Sequence, residues 1–276
     1  MLINHSRPHD ACLQPPIATA HGNERVFGKI GELEVRLARN PDDIMRAQLL
    51  RQRVFFAQSA DGSLDADVFD ADCDHLIVAD QNRGGEIVGT YRLLRQDRAM
   101  AGYGFYSQDE FELNQLVARH PGLRFLELGR SCVLPTYRSK RTIELLWQGI
   151  HAYIGLYQID VMVGCASFAG TTPAAHAHSL SYLINHCAAP WPWDVRAIPG
   201  RFCSMDLMPV EAIEPRTALA GLPPLIKAYL RAGARVGQGC VVDHEFGTVD
   251  VFIVLPVKQI VKRYLDYYGI DQGAAA

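Results

Sequence analysis

Residues 125–133 read FLELGRSCV, and their pattern indicates the class of fold. Apolar residues dominate the stretch, which predicts a strand, and the charged residues Glu127 and Arg130 lie within it. An amphipathic helix is predicted next, over residues 142–157, and a short strand over 161–166. A strand, a helix and a strand in this order indicate an α/β unit around a sheet.

Elements predicted on either side of this unit extend the same architecture. Strands are predicted at 33–38, 75–80, 87–94, 240–243 and 250–254, and helices at 41–56, 109–118, 173–185, 223–232 and 257–268. We predict an α/β fold with a central mixed β-sheet flanked by helices. The expected organisation is a flexible N-terminal segment (1–32), a core (33–188) and a C-terminal extension packed on the core (189–276).

Composition excludes several classes of protein. The chain has 276 residues, 49% of them hydrophobic, and a net charge of -3, so no bulk field attracts nucleic acid. Its seven cysteines form no CxxC pair, which predicts neither a metal site nor a disulfide framework. The absence of a signal-like N-terminus and of an apolar run of roughly 18 residues predicts a cytoplasmic protein. Such a protein could still touch the inner membrane peripherally through its product.

Four short motifs carry a resemblance to a known family. In chain order they are Arg51-x-x-x-Phe55, Asp67-x-Phe69-Asp70, Gly89-x-x-Arg92-Leu93-Leu94 and Glu127-x-x-Arg130. This succession resembles the core of the acyl-homoserine-lactone synthases, which take acyl chains from acyl carrier protein. The resemblance covers roughly the first half of the chain and implies a GNAT-like fold.

Further segments are similar to a second family, the ornithine-lipid acyltransferases, and this resemblance runs from about residue 33 to 268. It is carried by 74–78 (DHLIV), 137–142 (YRSKRT), 146–150 (LWQGI), 222–231 (LPPLIKAYLR) and 243–251 (DHEFGTVDV). It implies transfer of a 3-hydroxy fatty acyl group from acyl carrier protein to the α-amine of ornithine, giving a lyso-lipid. No bound cofactor is implied, because phosphopantetheine arrives on the carrier.

Two alternatives stay open. A signal synthase would also lactonise S-adenosylmethionine, but the long C-terminal module argues against it. A non-catalytic carrier-binding or membrane-associated protein is the other alternative. The intact residues Glu127, Arg130 and Asp70 argue against that one.

The fourth motif supplies the candidate catalytic pair. Glu127 could accept a proton from the substrate amine, or orient a water that does, because a protonated amine cannot attack a thioester. Since Glu127 and Arg130 are three residues apart on a strand, we expect their side chains on opposite faces, one in the cleft and one in support. A surface ion pair is the alternative.

The acidic loop supplies the candidate amine site. Asp70 is the first choice and Asp67 the second for binding a cationic amino acid, and a solvated turn is the alternative. His75 is either a rival base or a buried core histidine. Arg51 and Arg92 belong to apolar elements and are expected beside the two aspartates, as structural ion pairs or as catalytic groups. Phe55, from the same motif as Arg51, is expected in the substrate site with these residues.

Arg138, Lys140 and Arg141 form a basic run before the helix at 142–157. Ordinary acetyl-CoA GNATs have a glycine-rich loop, R/Q-x-x-G-x-G/A, at this point. Basic side chains and backbone donors at a helix start favour an anion, here the phosphopantetheine phosphate or the acidic surface of the carrier. An exposed charge cluster of no function is the alternative.

Overall fold

The computed structural model describes residues 25–57 and 63–260. Eight strands in these ranges form one sheet, in the spatial order β1-β2-β3-β4-β5-β6-β8-β7. The strands are β1 Val26–Ile30, β2 Leu33–Leu37, β3 Asp74–Asp80, β4 Glu86–Arg95, β5 Phe125–Val133, β6 Val161–Ala169, β7 Arg235–Asp243 and β8 Thr248–Pro256. The helices are α1 Pro41–Phe55, α2 Gln96–Ala101, α3 Leu113–Arg119, α4 Lys140–Tyr157, α5 Ala177–His186, α6 Pro215–Gly221 and α7 Pro224–Ala232.

The sheet is mixed, as predicted, because β5 and β6 are parallel while their neighbours pair antiparallel. Parallel neighbours need a crossover, and α4 provides it. Helices cover both faces of the sheet. Leu76 and Val78 of β3 pack in the cluster that contains α4, whereas Ile77 packs with Ala47 and Leu50 of α1. Alternation along the strand therefore places α1 and α4 on opposite faces.

The N-terminal boundary differs from the prediction. Within the segment expected to be flexible up to residue 32, Val26–Ile30 forms β1 and pairs with β2 through a tight turn at Gly31. Gly31 has a φ of 62°, which glycine adopts at little cost. The strand is stabilised by this pairing, because its own alternation of apolar and polar residues is weak. The rest of the predicted segment, residues 1–24, lies outside the described ranges.

The C-terminal extension packs on the core by continuing its sheet. β8 pairs with β6 and β7 pairs with β8, so both strands belong to the central sheet. The predicted helix at 257–268 lies mostly outside the described residues, and its described part is a short 3-10 turn, Val257–Gln259. Within the ranges that the structure covers, none of the helices is long and apolar enough to cross a membrane.

Candidate active site

A cavity of about 350 Å³ opens where β5 and β6 part. The two strands pair over only three residues each, ending with Glu127 opposite Val163. The next residue of β6, Gly164, has a φ of 152°, and a Cβ there would lie 2.4 Å from a backbone oxygen of β5. The strands are thus as close as glycine permits just before they separate. Beyond this point residues 128–131 and 165–167 line the cavity from its two sides.

Glu127 lines this cavity and is held by three donors. Its carboxylate accepts hydrogen bonds from the backbone N–H of Tyr106 (2.7 Å) and Ser107 (2.8 Å), and from the Ser107 hydroxyl. Burial raises the pKa of Glu127, although these donors act in the opposite direction. No ion pair in the described part of the chain includes Glu127, so the surface ion pair is not its role. A buried carboxylate with a raised pKa beside a cavity is suited to accepting a proton.

Arg130 lines the same cavity, which corrects the expectation that Glu127 and Arg130 point to opposite faces. Between β4 and β5, Arg92 pairs with Gly129 but Thr90 pairs with Cys132, so β5 has one extra residue. Arg130 lies in this bulge with a φ of 48°. A bulge breaks the alternation of side chains and re-aims one of them.

The Arg130 guanidinium contacts aromatic rings and acids. It lies 4.9 Å from the ring centre of Tyr106 and 4.5 Å from that of Phe246. Its nitrogens are 3.2 Å from Asp65 and 3.1 Å from Asp67. These contacts hold a cation at the cavity wall, because acids and ring faces both stabilise a guanidinium.

Buried ion pairs join the predicted motifs behind that wall. Arg51 of α1 pairs with Asp65 and with Asp70, both at 2.9 Å. Arg92 of β4 pairs with Asp67 at 2.6 Å and with Asp70 at 3.3 Å. Both arginines therefore lie beside the two predicted aspartates, and the contacts are those of a structural network. Paired in this way, the charges can be buried.

The predicted site residues divide by their access to the cavity. Phe55 and Arg92 line it together with Glu127 and Arg130. The cavity lining does not include Arg51, Asp67, Asp70 or His75.

Asp70 is 6% exposed. Although burial opposes it, the guanidiniums of Arg51 and Arg92 hold the pKa of Asp70 well below its usual range. Its charge is thus already compensated within the protein. The roles predicted for Asp70 in catalysis and amine binding stay predictions, without a contact to the cavity.

His75 is buried beside this network. Its Nε2 lies 3.1 Å from the backbone oxygen of Asp70, and burial lowers the pKa of the imidazole. A neutral, buried histidine behind the wall corresponds to the core alternative. Its role as a base stays a prediction, and the cavity offers it no direct route to a substrate amine.

The basic run lies at the start of α4, directly after β5 leaves the cavity. Arg138, Lys140 and Arg141 are exposed, and Ser139 caps the helix by accepting a hydrogen bond from the Thr142 N–H at 3.4 Å. None of the three basic residues is part of the cavity lining. Their predicted contact with a carrier stays a prediction.

The C-terminal strands supply lining that the sequence prediction missed. Asp243, Phe246, Thr248 and Asp250 of the β7–β8 hairpin line the cavity. The available signal was the placement of two aspartates in otherwise apolar strands, VVD and VDVFIV, around a short turn. Such residues need partners when buried.

Comparison with known proteins identifies the family of this chain. Residues 46–148 match the family model described as an acetyltransferase (GNAT) domain. The L-ornithine N(alpha)-acyltransferase of Agrobacterium fabrum is 52% identical over 278 residues, covering 95% of each chain. The L-ornithine N(alpha)-acyltransferase of Rhizobium meliloti is 54% identical over 260 residues, covering 90% of this chain and 88% of the relative.

Among solved structures, an N-acyl amino acid synthase from uncultured soil microbes aligns with 83% of this chain and 95% of its own length, at 12% identity and a TM-score of 0.48.

The domain match confirms the predicted GNAT-like fold, because it spans α1 to the first half of α4 and includes Glu127. The curated relatives extend the similarity over the C-terminal strands, which complete the cavity. The chain is an N-acyltransferase, and it belongs to the family of the L-ornithine N(alpha)-acyltransferases.

Proposed function

We propose that this chain transfers a 3-hydroxy fatty acyl group from acyl carrier protein to the α-amine of ornithine, giving lyso-ornithine lipid. The acceptor follows from the names of its relatives. The observation that carries the chemistry is Glu127, a buried carboxylate of raised pKa at the point where β5 and β6 part. An acyl transfer to an amine needs a base at such a point, since amines are mostly protonated at neutral pH.

The proposed reaction is an addition to the thioester carbonyl followed by an elimination of the thiol. Glu127 takes one proton from the α-ammonium of the amino acid. The freed nitrogen attacks the thioester carbonyl carbon, and a tetrahedral intermediate forms. The carbon–sulfur bond breaks, the sulfur leaves with a second proton from the nitrogen, and an amide remains. Glu127 returns its proton to water.

The parted strands support stabilisation of the developing oxyanion. Residues 128–131 line the cavity and, in the part of the chain described, have no strand partner on the β6 side. Backbone N–H groups on that side can donate to the thioester oxygen. Arg130 on the same wall would hold the carboxylate of the amino acid.

The exposed basic residues at the start of α4 support a carrier-bound donor. Arg138, Lys140 and Arg141 would meet the phosphate of phosphopantetheine or the acidic surface of the carrier. Coenzyme A has a larger anionic moiety than phosphopantetheine, and ordinary acetyl-CoA GNATs hold it with a glycine-rich loop. In this chain residues 137–142 (YRSKRT) stand at the position of that loop.

The test is a reaction of the purified protein with 3-hydroxyacyl carrier protein and ornithine, followed by mass spectrometry. We expect N-acylated ornithine and free carrier thiol in equal amounts. Parallel reactions with the matched acyl-CoA and with S-adenosylmethionine as acceptor test the donor and the acceptor. A lactone product, or the absence of acyl transfer to any amino acid, would overturn the proposal.

A further inference from the structure

Three buried carboxylates from three elements meet at one side of the cavity. Glu110 follows the 3-10 turn Tyr106–Asp109, Asp243 ends β7 and Asp250 lies in β8. Ligand oxygens of the three all lie within 4.8 Å of one another. Asp243 and Asp250 line the cavity itself. The motif-based prediction placed the amine site at other acids.

The positive charge around this group is too small to balance it. Among the described residues, the one ion pair to the three carboxylates joins Arg201 to Glu110, at 3.1 Å. Burial, and then the nearby charge of Asp250, raises the pKa of Glu110 to about 7. Burial also raises the pKa of Asp250. A cation brought in by a ligand would relieve this excess of negative charge.

An unsatisfied atom shows where such a cation would bind. Asp250 is 7% exposed, and its Oδ1 is buried with no hydrogen-bond partner among the described residues. Asp243 has a structural task, because its Oδ1 accepts the backbone N–H groups of Glu245 (2.7 Å) and Phe246 (3.0 Å) in the hairpin turn. The hydroxyls of Ser167 and Thr248 lower the pKa of Asp250 in part, but its Oδ1 keeps no partner among the residues that the structure covers. Burying a carboxylate oxygen without a partner is costly, so a partner from outside is expected.

Two side chains connect this group to Glu127. The Ser107 hydroxyl donates to Glu127, and Cys165 lies within 3.4 Å of that hydroxyl and 3.5 Å of the Glu110 carboxylate. The base and the two aspartates of the acidic group therefore line the same cavity, with Glu110 directly behind Cys165. A short amino acid with two amines can place one at each end.

We infer that Glu110, Asp243 and Asp250 bind the side-chain ammonium of the amino-acid acceptor and so select a cationic substrate. The inference rests on the proposed function, because it takes Glu127 as the group beside the α-amine. The aspartate carboxylates that line the cavity contact the ammonium, with Asp250 supplying the unpaired oxygen. An acceptor without the side-chain charge would leave this oxygen buried and unpaired.

The experiment compares ornithine with norvaline, which has the same carbon chain but lacks the second amine. Wild-type protein should use ornithine with at least about tenfold higher kcat/KM than norvaline, the effect of one charge-assisted hydrogen bond. Asp250→Asn should lower kcat/KM for ornithine by roughly 10- to 100-fold and for norvaline by much less. Glu245→Gln, an exposed acid of the same hairpin, is the matched control and should change neither value.

The outcomes separate the two levels of the proposal. If wild type acylates no amino acid, the proposed function fails. If wild type acylates ornithine but Asp250→Asn retains the preference over norvaline, only this inference fails. An equal loss for both acceptors in folded Asp250→Asn and Glu110→Gln overturns it as well. So does calorimetric binding of Mg²⁺ or Ca²⁺ that is required for activity and lost in Asp250→Asn, since the carboxylates would then hold a metal ion.

Discussion

Replacing Glu127 with glutamine removes the proposed base while keeping the shape of the side chain. In the wild type, the two Ser107 donors reach one carboxylate oxygen, and the Tyr106 N–H reaches the other at 2.7 Å. A glutamine carbonyl can keep the Ser107 contacts. Its NH₂ group then faces the Tyr106 N–H, which loses its acceptor.

The structure allows the effects of Glu127→Gln on unfolding free energy and on kcat to be estimated separately. An unsatisfied buried donor costs about 1–3 kcal/mol of unfolding free energy, and the loss of a buried charge offsets part of it. We therefore expect Glu127→Gln to fold. Loss of a positioned base should lower kcat by roughly 10²- to 10⁴-fold. The loss of activity should thus exceed anything that instability explains.

The pH dependence of kcat/KM is a second test of the role of Glu127. Glu127 accepts a proton only when ionised, and burial raises its pKa. In wild type, kcat/KM should fall as the pH drops through that raised pKa. Glu127→Gln should lack this limb, whereas a limb from Glu110, whose pKa is about 7, should persist.

The assay measures free thiol released from acyl carrier protein over a range of ornithine concentrations and of pH, which gives kcat and kcat/KM. Circular dichroism and thermal melting establish that the variant is folded, and Glu245→Gln serves as the exposed control. Turnover within a few-fold of wild type, or an unchanged acid limb, would refute Glu127 as the base.

Three further perturbations test other parts of the molecule. The triple variant Arg138→Ala, Lys140→Ala and Arg141→Ala should lower kcat/KM for carrier-bound donors more than for matched acyl-CoA, most strongly at low salt; equal effects on both donors would contradict this. Although burial opposes it, the paired arginines depress the pKa of Asp70, so its stabilisation is complete above pH ~4 and is lost as the pH falls further. Asp70→Asn should cost about 3–5 kcal/mol in denaturant unfolding at pH 7 and less at pH 3, and equal losses would contradict this. Gly164→Ala should destabilise by roughly 1–3 kcal/mol in thermal melts, since its Cβ would meet a backbone oxygen of β5 at 2.4 Å; an unchanged melting temperature would contradict the close approach.

Strong local patterns allowed much of the fold to be predicted. β5 has the predicted bounds, Phe125–Val133, because its apolar residues and the following helix and strand agree with one another. β1 was missed because VFGKI contains a glycine and a lysine and shows weak alternation. It becomes a strand through hairpin pairing with β2 across the turn at Gly31, and this pairing is not evident from the alternation within β1 itself.

The site was predictable only in part, for similar reasons. The motif order singled out Glu127 and Arg130 but placed them on opposite faces, whereas both line one cavity, because the direction of the Arg130 side chain depends on a bulge. Asp70 looked available for an amine because the sequence does not reveal that Arg51 and Arg92 already pair with it. Partners brought together by tertiary contacts decide which charges remain for a substrate.

The ladder between β6 and β8 holds in place Asp250, the residue proposed to select the acceptor. It runs for nine pairs without a shift, and Asp250 lies opposite Ser167, both on the cavity wall. Because side chains of a strand alternate, sliding β8 by one residue would turn Asp250 away and present a valine instead. A single deletion in β8 before Asp250 would replace the proposed cation-binding wall with an apolar one within an intact sheet. If the proposal holds, one short deletion could change the acceptor without altering the proposed base on β5.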